Sequence, residues 1–495
     1  MRFFLNGQEK EFTGDPELSL LTYLREHEGI ISPKNGCAPQ AACGACVVQI
    51  NDRAVLSCVT PMKKVGEQHI TTTEGLGAYR QKVFANAFVQ KGGVQCGFCI
   101  PGIVMQANAL IDRHPQLTRA DIEKALTPHL CRCTGYKKIV DAIETAAEAI
   151  HNEEEVPEPN SDGRVGSRHP KYKAYDLVLG QHQYVDDIRL DGMLHGALKF
   201  SDHPRAVVQN LDVSKAENLP GVIRILTAKD VPGDLVIGLI RQDWPLMIAE
   251  GETTRYVGDV LACVVAESDE IARKAVAQIE VSYDVLEPIT DVHEAIKAEC
   301  PSIHEEGNIL SKSVTSRGSV EEATRSSKYI SHGIYQTQMI EHGYMEPEVA
   351  IAYPRDDGIE VLSQSQGVYE DRMQIAKLLG LPLNKVRIIL VPNGGGFGGK
   401  EDLSVQGHAA LAAALLAVPV KIRLTRDESI IMHPKRHPIW MEYTIGCDED
   451  GNLTFCKGRF VGDTGAYASV GMKVLERSAG HATGAYFFPV TDIES

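Results

Sequence analysis

Alternation of apolar and polar positions near the N-terminus predicts short strands and turns: RFFLNGQ, EFTG, a hairpin over ACVVQINDRAVLSCV, and HITTT. Among them, LSLLTYLREH alone repeats at helical spacing, so the first stretch predicts a small α+β unit. From Tyr79 to about Ala149 the period becomes helical, in YRQKVFANAFVQ, GIVMQANALIDRH, TRADIEKAL and KKIVDAIETAAEAI. Thr118 followed by Asp121 predicts a capping box with Asp in place of Glu. The segment HNEEEVPEPNSDGRVGSRHP is acidic and rich in Pro, Gly and Ser, a linker by composition. Beyond it, VIRILTA, YVGDVLACVVAES, EVSYDVL and VRIILV read as strands, with DEIARKAVAQI and LSVQGHAALAAALLA as helices. No internal repeat of fixed period is present.

Length changes the picture first: 495 residues at roughly 150 per domain give three or four domains. A net charge of -16, without blocks of Lys or Arg mixed with aromatics, argues against a nucleic-acid partner. The apolar run in HAALAAALLAVPV falls short of the roughly 18 residues that a membrane span needs. MRFFLNGQEK is too short in apolar residues for a signal peptide. The expectation is a cytoplasmic chain.

Twelve cysteines would be unremarkable if scattered, but eight lie in the first 133 residues. Cys37, Cys43, Cys46 and Cys58 follow C-x5-C-x2-C-x11-C, three of them in one glycine-containing loop. Such a loop can ligate a 2Fe-2S cluster, with one more residue in the first gap than the plant-type ferredoxin pattern. Zinc competes, since C-x2-C pairs serve it too, although zinc ligands usually come as two separated knuckles. Cys96 and Cys99 in QCGFCIPG, with Cys131 and Cys133 in CRCTGY, form a second quartet that alone admits iron-sulfur, zinc or disulfide. Cys263, Cys300, Cys447 and Cys456 lack ligand spacing and read as small apolar residues.

The loop GGGFGGKE fits two phosphate-binding patterns: Gly394, Gly396 and Gly399 make GxGxxG, and Gly394 to Lys400 make GxxxxGK. The nucleotide triphosphatase reading needs Ser or Thr after Lys400 to bind magnesium, and Glu401 stands there instead. For a dinucleotide site, the nearest acidic candidate, Asp427, comes too late, and Pro392 and Asn393 interrupt the strand-to-glycine turn.

Together, GC...CGAC...SC, QCGFCIPG and CRCTGY, followed by LDGMLHGALKFSDHPRA, RYVGDVLACVVAES, EHGYMEPEVA and GGGFGGKE, resemble the molybdenum hydroxylases of the xanthine dehydrogenase and aldehyde oxidoreductase type. The resemblance implies an α+β multidomain chain. Its parts would be a β-grasp 2Fe-2S ferredoxin domain (1–76), a helical-bundle 2Fe-2S domain (77–152), a linker (153–170), an α/β hammerhead-like domain (171–300) and the N-terminal part of a molybdopterin-binding domain (301–495). It implies two 2Fe-2S clusters and a molybdenum-pyranopterin cofactor. Carried over residue by residue, it places Gln366 near the molybdenum, Gly396, Phe397 and Gly398 beside the metal, and Gln95 and Cys133 against the pterin. Five glycines would let backbone N–H groups approach an oxo ligand or phosphate.

Glu401 matches a glutamate that orients the heterocycle in purine-oxidising relatives, though a Glu opening a helix is also favourable in its own right. His342 and Glu346, four apart in EHGYMEP, read as a buried hydrogen-bonded pair. The resemblance also implies a catalytic carboxylate and an Arg-Gly-Phe-Gly type segment that the chain lacks, so a second chain would complete the molybdenum site. With no flavin domain between the halves, electrons would pass to a separate FAD subunit or another acceptor. The expected function is a hydroxylase of a purine-type N-heterocycle using water. Its rivals are a hydroxylase of aldehydes or nicotinate-like compounds, a non-catalytic electron-transfer scaffold, and a nicotinamide dehydrogenase.

Overall fold

A computed structural model describes residues 1–159, 161–167 and 169–495; Asn160 and Arg168, inside the expected linker, lie outside the described residues. The N-terminal part is a five-stranded sheet in which Arg2–Leu5 lies between Gln8–Glu11 and His69–Thr71, and Val47–Ile50 pairs with Arg53–Leu56. Both hairpins turn on residues that tolerate positive φ, Asn6 and Gly7 in the first and Asn51 and Asp52 in the second. The first turn fixes the register, so the second strand is Gln8–Glu11 and ends before most of the expected EFTG. Leu20–Thr22 starts the expected helix, which widens into a π-helical turn over Tyr23–His27. Leu20, Tyr23 and Leu24 pack on Phe3, Leu5, Val48 and Ile70.

Four helices follow: Ala78–Lys91, Ile100–Arg113, Arg119–Ala125 and Lys137–His151. Thr118 and Asp121 form the capping box reciprocally. In Lys137–His151, Ile139, Val140, Ile143, Ala146 and Ala147 form one buried stripe. No helix among the described residues is long and apolar enough to cross a membrane.

In the second half, a seven-stranded sheet runs in the order Val386–Leu390, Gly358–Ser363, Val349–Arg355, Val420–Arg423, Leu194–Phe200, Val260–Ala266, Val222–Leu226. The sheet is continuous across residue 300, because Val420–Arg423 pairs in parallel with Leu194–Phe200. Val260–Ala266 is buried along its whole length, including Cys263, which suits an inner strand covered on both faces. The alanine-rich helix Val405–Leu416 packs on this sheet and fills its core with Ala409 to Ala413. A separate five-stranded sheet carries Val314–Arg317, Tyr329–Gln336, Ile439–Cys447, Leu453–Gly462 and Val490–Glu494.

Candidate functional site

The eight N-terminal cysteines arrive as neighbouring pairs of thiols: Cys37 with Cys43 and Cys46 with Cys58, where the loop before Val47–Ile50 meets the turn after Arg53–Leu56, and Cys96 with Cys133 and Cys99 with Cys131, where the segments before Ile100–Arg113 and after Arg119–Ala125 meet. Two thiols per metal is the arrangement a diiron cluster uses, one pair for each iron. Within each pair one thiol is driven down and its partner up, since a single hydrogen between two sulfurs favours one thiolate; Cys37 falls to about 6 in this way. Backbone N–H groups converge on the sulfurs, with Ala42 N 3.3 Å from Cys37 Sγ. Both loops therefore fit iron-sulfur clusters. Cys99 also stands at the N-cap position of the helix Ile100–Arg113, its thiol pushed well up by its pairing with Cys131 and by burial.

The two cluster loops abut. Leu130 N donates to Cys43 O at 2.9 Å, joining a neighbour of Cys131 to a residue of the first quartet by one hydrogen bond. Glycine makes the approach possible: a Cβ on Gly102 would stand 2.4 Å from Gly44 O and 3.0 Å from Ala45 O. Gly102→Ala will force the two cluster domains apart. It should cost about 1–3 kcal/mol of stability, read from denaturant unfolding, and weaken the magnetic coupling between the reduced clusters.

A third loop, Gly394 to Lys400, lies against both. A Cβ on Gly394 would meet Phe98, which sits between Cys96 and Cys99, at 2.9 Å. A Cβ on Gly36, next to Cys37, would meet Met345 O at 3.1 Å. Arg132, between Cys131 and Cys133, donates to His342 O at 2.9 Å, and Arg426 bridges Gly36 O and Met345 O. The segment from Glu341 to Glu346 is thus held between the second cluster loop and the glycine loop.

The glycine loop is built to leave donors free. Gln366 Oε1 accepts from Gly398 N at 2.9 Å and from Lys400 N at 3.4 Å, so this side chain braces the loop. A Cβ on Gly396 would stand 2.4 Å from the same oxygen. Phe397 and Gly398 take positive φ, 56° and 90°. Among the described residues, the N–H groups of Gly396 and Phe397 meet no protein acceptor. Adjacent unpaired N–H groups at a left-handed turn form a concavity suited to an anionic group, so the loop fits a phosphate or oxo ligand of a bound cofactor. The Phe397 ring is half exposed over it.

Beneath the loop lies a buried polar cluster. Glu346 accepts from Gly394 N at 2.6 Å through Oε2, while its Oε1 has no partner. Burial pushes Glu346 up to about 7, against the pull of Lys400 and the Gly394 N–H. Lys400 is driven down by burial; its Nζ donates to Glu346 O and Gln364 Oε1 and sits over the Tyr344 ring.

Two expectations need correction. His342 and Glu346 do not bond each other, because Gly343 at φ 68° breaks any helix there and the two side chains diverge. Glu401 does not open the following helix, which starts at Val405 after Ser404; it stands exposed in the preceding turn. Gln95 is exposed beside Cys96, and Cys133 is half-buried. Sequence reading missed Arg132, whose place between two cysteines was the available signal, and Glu348 and His433, for which no signal existed.

Four family models cover the chain. A 2Fe-2S iron-sulfur cluster binding domain matches residues 3–71 and a 2Fe-2S binding domain 72–144. The aldehyde oxidase and xanthine dehydrogenase a/b hammerhead domain matches 179–287, and a molybdopterin cofactor-binding domain 303–495. A probable xanthine dehydrogenase component of Bacillus subtilis is 39% identical over 63% of this chain and 42% of its own. The nicotinate dehydrogenase large molybdopterin subunit of Eubacterium barkeri is 33% identical over 67% of this chain and 78% of its own. The solved aldehyde oxidoreductase from Desulfovibrio gigas superposes with a TM-score of 0.95 at 29% identity, over all of this chain and 57% of that one. The chain spans about half the length of the first and last of these.

Proposed function

The chain belongs to the molybdenum hydroxylase family of xanthine dehydrogenases and aldehyde oxidoreductases, and we propose that it oxidises a purine-type N-heterocycle with water, passing electrons through its two 2Fe-2S clusters. The contact that carries this reading is Arg132 on His342 O, with Phe98 on Gly394, since it sets the second cluster against the loop that fits the cofactor. When bound, the molybdenum cofactor supplies two-electron oxidation at carbon with oxygen taken from water.

This chain's residues then do the holding. Gly396 and Phe397 offer N–H donors, Gln366 fixes their spacing, and Gln95 and Cys133 would hold the pterin from the helical side. Phe397 gives an aromatic face against which a flat heterocycle can lie, and Glu401 takes a hydrogen bond from its ring N–H. The catalytic carboxylate and the rest of the molybdenum pocket would come from outside these 495 residues, and a separate flavin protein would collect electrons, all in the cytoplasm.

The relatives bear names for xanthine, nicotinate and aldehyde, and we assign the choice among these substrates to Glu401. In the complex with its completing chain, Glu401→Gln should lower kcat/KM for xanthine about 10- to 100-fold, the loss of one hydrogen bond to a charged group, in a dye-reduction assay. It should leave aldehyde oxidation unchanged. Equal loss on every substrate would remove the purine assignment, and turnover insensitive to Gln366→Ala would favour the scaffold reading.

A further inference from the structure

A buried polar path leads away from the glycine loop along the segment that Arg132 ties to the second cluster loop. The His433 ring is fully shielded: Nδ1 hydrogen-bonds Ser429 O and lies 3.2 Å from Glu348 Oε1, while Nε2 lies 2.9 Å from Glu341 Oε1 without an aligned hydrogen bond. Glu348, also buried, accepts from the Tyr344 hydroxyl. The Tyr344 ring lies directly beneath the loop, 2.9 Å from where a Cβ on Gly399 would stand. His342 presses on the same glycine, its buried Nδ1 without a partner, and its ring lies 5.8 Å from that of His433. At the far end, Glu341 lies 3.2 Å from Lys435, and both side chains reach solvent in part.

We propose that His433, clasped between Glu348 and Glu341, relays protons from the underside of the glycine loop to solvent at Lys435. This rests on the reading that the loop holds the group at which a C–H bond is oxidised. The balance R–H + H2O → R–OH + 2 H⁺ + 2 e⁻ releases two protons for every electron pair. The electrons leave one at a time through the clusters to an external acceptor such as flavin or a dye. Protons cannot follow through the apolar core around Phe84, Phe88 and Ile103, and need titratable groups in hydrogen-bond reach.

Burying a Glu–His–Glu run is costly, and packing alone would be served better by apolar side chains. The path contains groups that can take up and release a proton. Burial alone would lower His433, but Glu341 and Glu348 outweigh it and hold the ring above the ordinary imidazole value, against Lys435. Glu341 stays anionic, held at about 2: burial pushes it up, and His433, the Gly343 N–H and Lys435 pull it further down. His342 is lowered, first by burial and then by His433, with Arg132 and Lys435 adding to this and Glu341 opposing it. A proton taken from the loop side by His342 therefore moves towards the more basic His433.

Two measurements decide it. In the protein labelled with ¹⁵N-histidine, the signal lost in His433→Gln should report a ring that stays doubly protonated to higher pH than a free imidazole, and Glu348→Gln should lower its midpoint. A ring neutral from pH 6 to 8 overturns the proposal. In the cofactor-loaded complex, His433→Gln and, nearer the surface, Glu341→Gln should each cut kcat at least about 10-fold, below the usual 10²–10⁴ because relays have detours. KM should be unchanged, the solvent isotope effect larger, and added imidazole should restore part of the rate in His433→Gly. Wild-type kcat and isotope effect in both His433→Gln and Glu341→Gln overturn it as well. A wild-type complex that oxidises no substrate removes the hydroxylase reading, and the titration then decides the His433 claim alone.

Discussion

Cys99→Ser will leave the protein with one reducible 2Fe-2S centre where the wild type has two. Iron should fall from about four to about two atoms per chain, since each cluster holds two, and the EPR signal of the second centre should vanish while the first persists. The reasons are local. Cys99 is buried, its thiol neighbours that of Cys131, and it holds the N-cap position of the helix Ile100–Arg113, which ties the cluster to the helical core. A serine hydroxyl keeps its proton near neutral pH, so one iron loses half its thiolate pair. The loss spreads, because Phe98 and Ile100 sit in the core of the helical domain and Phe98 also props Gly394. The helical domain should become easier to unfold, as metal binding and folding are coupled, and dye reduction in the assembled complex should drop to background. Two retained iron-sulfur signals would show that Cys99 is no ligand.

What could be read from the sequence was what is decided nearby. Cluster cysteines announce themselves because a diiron centre needs four thiolates at short range, and the capping box is written in four consecutive residues. The hairpin over Asn51-Asp52 was equally legible, whereas the one over Asn6-Gly7 was not singled out, and its second strand ended earlier than EFTG implied. Long-range pairing was not. Nothing in VKIR reveals that Val420–Arg423 will lie beside Leu194–Phe200, more than two hundred residues away, which merges the two later units into one sheet. The His342–Glu346 spacing misled because an i, i+4 pair faces one way only on a helix, and Gly343 takes the chain out of helical space. Lys400 was visible only as the end of a GxxxxGK pattern that Glu401 rules out; its ammonium turns inward over the Tyr344 ring, which the pattern could not show.

Asp187→Asn should destabilise the protein by about 3–5 kcal/mol, the cost of stranding a buried charge, whereas Lys34→Met should cost distinctly less. This order follows from who is left alone. Lys34 is almost wholly buried and has one carboxylate, Asp187, at 2.7 Å; remove it and an ammonium remains with only the His182 carbonyl and the Tyr184 ring. Asp187 has a second cation, Arg25 at 2.8 Å, so it survives the loss of Lys34 paired. The junction also joins the ferredoxin-like sheet to the later domains, since Arg25 reaches Asp186, and Lys421 donates to Asp186 O and Ile188 O. Unfolding in urea should therefore lose cooperativity in Asp187→Asn, with the N-terminal sheet released first. Acid gives an independent check. Burial pushes Asp186 and Asp187 up, but surrounding cations, Arg423 and Arg25 for Asp186 and Arg25 and Lys34 for Asp187, leave both below the usual carboxylate range. Their stabilisation is thus fully present above the unfolded carboxylate value of about 4 and is lost as pH falls towards the folded values. Asp187→Asn removes one of the two contributions, so its stability should fall less steeply between about pH 4 and 2 than that of the wild type, from a lower starting point. A mutant with the wild-type slope would mean that Asp187 is not held down by its cations.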